Sequence, residues 1–179
     1  MKTTATTCVI GGAEPPATAI SIYFRPPPPP PSPQKNTTIP ASEDELLSHA
    51  WYWDQRYSKS DGTTPSHEWF RSFSDLEPFL ERNLLSTPGF TAQDNPVILH
   101  LGSGDSLTIR FADPLKVMPL EFSSRGYKRQ LCVDFTSVVV HLMKERHAAI
   151  EGIEWRLMDV LDMEGLDDKS IHVAFDKAR

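Results

Sequence analysis

The chain has 179 residues, 39% of them apolar and 23% charged, which suits one globular domain with its own core. A net charge of −6 provides no general basic field, which argues against nucleic acid or an anionic membrane as a partner. The two cysteines, Cys8 and Cys132, form no disulfide framework, and no apolar stretch approaches the ~20 residues of a membrane span, so a cytoplasmic location is expected.

Residues 1–40 carry an unbroken proline run at 26–31, followed by Ser32 and Pro33. Such a run favours polyproline II and cannot pack a core. The segment is expected to be a disordered tail, with a ligand for a proline-reading domain as the alternative. Order is expected from residue 41 to 179. Ser42 and Glu45 have capping-box spacing ahead of Leu46 and Leu47, which predicts a short helix. An aromatic cluster follows: Trp51, Tyr52, Trp53 and Tyr57, then Trp69, Phe70 and Phe73. Ser74 and Glu77 repeat the capping-box spacing, and Leu76, Phe79, Leu80 and Leu84 make one apolar helical face. Pro78 falls in the first turn of that helix, where a missing N–H matters least. Residues 87–96 form a loop with Pro88, Gly89 and Pro96.

Strands and helices then alternate. Short apolar runs, and the alternation of Ile153, Trp155 and Leu157, predict strands at about 97–101, 130–134, 154–158 and 171–175, and residues 136–147 predict a helix with Val139, Leu142 and Met143 on one face. This order predicts an α/β, Rossmann-like parallel sheet in a three-layer arrangement, with the strand at 97–101 in a central place.

The first of these strands runs directly into Leu101-Gly102-Ser103-Gly104-Asp105-Ser106. Glycines at a strand's C-terminal end let a ligand come close to the backbone, and ligands of open α/β sheets bind at those ends. Asp134 ends the second strand, where a carboxylate can accept bonds from ribose hydroxyls. Asp159 ends the third, where a carboxylate can meet an adenine amino group. Asp176 and Lys177 end the fourth. The set points to a nucleoside cofactor. A dinucleotide fingerprint needs a third glycine where Leu107 stands, which disfavours an oxidoreductase. S-adenosyl-L-methionine, which has no phosphates, suits the loop better.

These residues resemble a family. Tyr52-Trp53-Asp54-Gln55-Arg56-Tyr57, Glu68-Trp69-Phe70 and the glycine loop are similar to the motif string of the small eukaryotic translation elongation factor 1A lysine methyltransferases, of the methyltransferase-like 13 type. The similarity continues through Val133-Asp134-Phe135-Thr136-Ser137-Val138-Val139, Met143-Lys144-Glu145-Arg146-His147, Met158-Asp159-Val160 and Asp176-Lys177, and covers about residues 50–177. It implies a class I methyltransferase fold, S-adenosyl-L-methionine as cofactor and a protein substrate. By this resemblance Trp53, Tyr57 and Trp69 help hold the cofactor, and Gly102, beside Gly104, supplies the glycine-loop contact. Asp134 and Phe135 match ribose and adenine contacts, Asp159 and Val160 adenine-side contacts, and Lys177 the end of the fourth strand. From the residues alone the aromatic cluster reads as core.

The chain departs from the family in two places. Residues 107–119 are extra, and Pro114 and Pro119 would break a helix the family has there, so the segment is either an added loop or translated intron. The family also continues beyond Lys177. The chain is therefore expected to carry the first four strands of a truncated fold, with 171–175 as an exposed edge and little or no methyl transfer. Two functions follow: a protein-lysine N-methyltransferase, incomplete here, or a non-catalytic remnant that binds cofactor or a partner. No catalytic nucleophile is evident. His141 and His147 are six residues apart and do not share a zinc-helix face, and no metal site is expected.

Overall fold

In the computed structural model, residues 43–59, 73–105 and 117–176 are described, together with the backbone of 5–8 and 19–23. The elements are β1 (Ala5–Cys8), β2 (Ala19–Tyr23), α1 (Glu43–Leu47), α2 (Ala50–Tyr57), α3 (Phe73–Leu80), β3 (Ile98–Leu101), α4 (Met118–Ser124), β4 (Gln130–Asp134), α5 (Ser137–Arg146), β5 (Ile153–Leu157) and β6 (Val173–Asp176). The sheet order is β1-β2-β6-β3-β4-β5. Strands β6, β3, β4 and β5 are parallel neighbours, with Leu99 opposite both Ala174 and Leu131, and Cys132 opposite Trp155. The α/β sheet with β3 between β6 and β4 is the architecture expected from the alternation of elements.

Alternation along each strand sorts the side chains into two faces. On one face Ile98, Val173 and Phe175 join Phe73, Leu76, Leu80, Leu84, Met118, Phe122 and Tyr127. On that same face Cys132 and Trp155 join Tyr57, Val139, Val140 and Met143. Helices α2 to α5 thus all cover one side. The other face presents Leu99, Leu131 and Val133, with Met158, Val160, Met163, Leu166 and Ile171 packed against them. Among the described residues that face carries a loop rather than the helical layer expected. Residues 158–171 hold Gly165 and five acids without helical apolar spacing, so the segment lies as an irregular cover.

Three local readings are corrected. Pro78 is not in a first turn: α3 begins at Phe73 and encloses it, which removes a donor from the helix interior. The chain then widens into a π-helical turn over Glu81–Leu85, a usual accompaniment of a disturbed helix ladder. Pro119 does not break a helix. It stands in the first turn of α4, where its absent N–H has no intrahelical partner to lose. Val117, Met118 and Pro119 are buried, so the end of the extra segment belongs to the core, while 106–116 lie outside the described residues. Third, β6 is not an exposed edge, because β2 pairs with it in parallel, Ile20 opposite Val173 and Ile22 opposite Phe175. Strands β1 and β2 fall within the segment expected to be disordered, at two of its stretches of β-branched residues. The rest of 1–40, proline run included, lies outside the described residues, as does Ser42.

Arg125 at the end of α4 bonds Glu121 at 2.6 Å and also Glu77 of α3, with its guanidinium 4.5 Å from the centre of the Phe73 ring. This packing of cation on ring and carboxylates fixes α3 against α4.

Candidate cofactor site

Because β6, β3, β4 and β5 are parallel and in register, their C-terminal ends fall along one margin of the sheet. Asp176 is opposite Leu101, and Asp134 is opposite Leu157. The sheet therefore brings Gly102, Gly104, Asp134, Asp159 and Asp176 to the same margin.

The loop after β3 turns on two glycines, both with φ of 57°. That left-handed region is costly for any residue with a Cβ. Ser103 N–H donates to the Val133 carbonyl at 3.1 Å, and Gly104 N–H donates to Asp134 Oδ2 at 3.0 Å. The loop is thus sewn to the end of β4. Asp134 Oδ1 accepts the Thr136 N–H at 3.0 Å and the Thr136 hydroxyl at 2.8 Å. Burial raises the Asp134 carboxyl above its ordinary value, and these hydrogen bonds oppose the shift. Met158 N–H donates to the Asp134 carbonyl at 2.9 Å, which draws in the end of β5 as well.

Thr136 is the N-cap of α5, yet its hydroxyl turns back to Asp134 rather than capping the helix. Asp54 of α2 serves instead, its Oδ1 accepting the Val138 N–H at 3.4 Å. The same helix carries Trp53 and Tyr57, four apart and therefore on one face. Their rings stack 5.8 Å apart at 25°. Trp53 is held from behind by its indole N–H, which donates to the Leu47 carbonyl at 2.7 Å, and Arg56 lies 5.8 Å from its ring centre. The Tyr57 hydroxyl comes so close to the loop that a Cβ on Gly104 would stand 3.3 Å from it. Burial, and then the charges of Asp134 and Asp105, raise the Tyr57 phenol above its ordinary value, so it stays protonated. Asp105 is 2% exposed. Its charge also acts on Arg146 of α5, where burial lowers the guanidinium and Asp105 opposes that.

Tyr57, Gly104 and Asp134 therefore meet in one place, with Trp53 behind Tyr57. Phe135 is half-buried beside Asp134. Asp159 lies further out, exposed, with Oδ1 accepting the Leu161 N–H at 2.9 Å. Val160 packs with Leu99, Leu131 and Val133 on the face that, among the described residues, carries a loop. Trp69 and Lys177 lie outside the described residues. Sequence reasoning missed the bracing roles of Thr136 and Asp54. The i, i+4 spacing of Trp53 and Tyr57 was the available signal for α2. Among the described residues no group of three His, Cys, Asp or Glu is arranged to hold a metal ion.

No family model matches the chain. A Bos taurus protein, EEF1A lysine methyltransferase 4, is 32% identical over 126 residues, 70% of this chain and 42% of that protein. The Mus musculus protein of the same name is 32% identical over 109 residues, 61% of this chain and 35% of that protein. The chain spans less than half the length of these relatives. Over the matched residues the chain is similar to these two lysine methyltransferases, and its parallel α/β sheet agrees with that similarity.

Proposed function

We propose that this chain carries the S-adenosyl-L-methionine-binding part of a protein-lysine N-methyltransferase whose substrate is translation elongation factor 1A. The observation that carries the reading is the bond from Gly104 N–H to Asp134, which sets a glycine loop and a buried carboxylate side by side at the ends of adjacent parallel strands. Two relatives named for this activity support it.

The residues suit the cofactor. Among the described residues, a Cβ built on Gly102 would meet nothing within 4 Å, which suits a close approach of ligand to the loop backbone. An ionised carboxylate has about four acceptor sites. The bonds to Gly104 and Thr136 leave Asp134 room for a ribose hydroxyl. In this reading Gly102 and Gly104 offer the close backbone approach and Phe135 an apolar wall for the base. Asp159 and Val160 stand on the adenine side. Trp53 and Tyr57 place aromatic faces where a sulfonium cation is favoured. Trp69 and Lys177 complete the set implied by the family.

When bound, the cofactor supplies an electrophilic methyl group. The protein's part is to hold the two partners aligned and to keep water out. A free lysine has a pKa of about 10.4, so the site must favour the neutral amine, which desolvation does. No residue of the chain need become a covalent nucleophile.

Two measurements test this. Calorimetry should detect S-adenosyl-L-methionine, and tighter binding of NAD would overturn the cofactor assignment. Transfer of labelled methyl from the cofactor to elongation factor 1A tests the activity. Binding without transfer would make the chain a non-catalytic cofactor-binding module.

A further inference from the structure

Strand β5 (Ile153–Leu157) ends the sheet, and among the described residues nothing pairs with its outer edge. On the inner side the Gly152 carbonyl accepts Gln130 N–H and Met158 N–H donates to the Asp134 carbonyl, both at 2.9 Å. Backbone groups alternate along a parallel strand, so Glu154 and Arg156 face β4, while Ile153, Trp155 and Leu157 turn their N–H and C=O outward.

Natural edges are usually blunted by proline, bulges, short length or like charges. This edge has five residues without proline or glycine, and Leu157 is 54% exposed at its end. Its charges are Glu154 and Arg156, an ion pair at 2.7 Å whose side chains are 59% and 35% exposed.

The order Ile-Glu-Trp-Arg-Leu reads the same in apolar pattern from either end and with opposite charge. An antiparallel pairing of two such strands centred on Trp155 makes every cross-strand pair favourable. Ile153 meets Leu157 of the second copy, and Glu154 meets Arg156 of the second copy, at both ends of the two-fold axis. The outward N–H and C=O groups of 153, 155 and 157 fall opposite one another in that register, as hydrogen-bonded pairs require. Parallel pairing would set Glu154 against Glu154, and a slip by one residue would lose the charge match. We infer that the β5 edge is a self-association surface, where a second copy of this chain adds antiparallel to continue the sheet.

The test is sedimentation of the full chain over a range of concentrations. Wild type should show a monomer–dimer equilibrium. Arg156→Glu and Glu154→Arg each place like charges opposite one another twice, and each should weaken dimerisation by at least about tenfold. The double exchange, Glu154→Arg with Arg156→Glu, restores the pattern and should restore the dimer. An equimolar mixture of the two single variants should associate more tightly than either alone, which misfolded chains would not do. A wild-type chain that stays monomeric leaves the edge to solvent or to another partner and overturns the proposal. So does a dimer indifferent to Arg156→Glu, or a mixture that fails to associate.

Discussion

The backbone N–H of Gly104 donates to Asp134 Oδ2 at 3.0 Å, so the loop after β3 is fastened to the last residue of β4. The same carboxylate holds Thr136 through two further bonds, at the start of α5. One buried acid thus fixes a loop, a strand end and a helix entry together. Its removal should be felt in both folding and binding.

Asp134→Ala leaves the N–H of Gly104 and the donors of Thr136 without this acceptor. Hydrogen bonds to a charged group contribute about 1.5–3 kcal/mol. S-adenosyl-L-methionine affinity, read by calorimetry, should fall by at least about tenfold, with a lower denaturation midpoint. Wild-type affinity in the variant would remove Asp134 from the site.

Gly102 and Gly104 share a φ of 57° but not their surroundings. Alanine at either should lose roughly 1–2 kcal/mol to left-handed strain. At Gly104 the new methyl also meets the Tyr57 hydroxyl at 3.3 Å, whereas at Gly102 it meets nothing within 4 Å among the described residues. Urea unfolding should therefore rank Gly104→Ala below Gly102→Ala in stability. Adding Tyr57→Phe to Gly104→Ala should recover part of the difference. Equal losses at the two glycines, with no recovery, would mean the hydroxyl is not pressed against the loop.

The parallel strands were legible because three are short runs rich in apolar residues and β5 alternates apolar with charged ones, and their predicted spans differ from β3, β4, β5 and β6 by two residues or fewer. Helix α5 was legible from the spacing of Val139 and Met143. Helix α2 was not, because Trp51, Tyr52, Trp53 and Tyr57 crowd its surface with aromatics and blur a helical stripe. Pro119 misled for a different reason: a proline marks either a break or a first turn, and only the burial of Val117 and Met118 decides between them. The partner of β6 was hidden because it comes from Ala19–Tyr23, far away in sequence. In the site, the acids at strand ends could be read, but not that Asp134 spends its hydrogen bonds on Gly104 and Thr136. That depends on where two loops meet.

Phe122 is fully buried and touches Phe73, His100, Tyr127 and Phe175 with ring centres 5.3–6.3 Å apart. It links α4 to the sheet and to α3. Phe122→Ala should destabilise the fold by about 3–5 kcal/mol through lost burial and the cavity left behind. Thermal unfolding reads the loss, and Phe122→Leu should lie between the variant and wild type. A change under about 1 kcal/mol would mean that α4 is not part of the core.

His100 gives the fold a pH dependence of definite sign. It is 3% exposed on β3, one residue before the glycine loop's leading Leu101, and a ring nitrogen lies 2.9 Å from Gln130 Oε1 on β4. The Gln130 amide in turn donates to the carbonyls of Pro119 and Tyr127, so the ring is tied through it to the first turn of α4 and to the segment that follows the helix. Burial lowers the imidazole from 6.5 to about 4, and the bond to Gln130 only partly opposes this. Between pH 6.5 and about 4 the unfolded chain takes up a proton here that the folded chain refuses. Stability from this group is therefore fully present above pH 6.5 and drains away as pH falls, reaching its full loss of roughly 3 kcal/mol near pH 4. Urea midpoints measured from pH 7.5 to 4 should fall more steeply for wild type than for His100→Gln, which keeps a polar group for Gln130 but has no proton to gain. Carboxylates titrate in both proteins, so the difference between the two curves isolates His100. Parallel curves would show that the imidazole is not held neutral in the core.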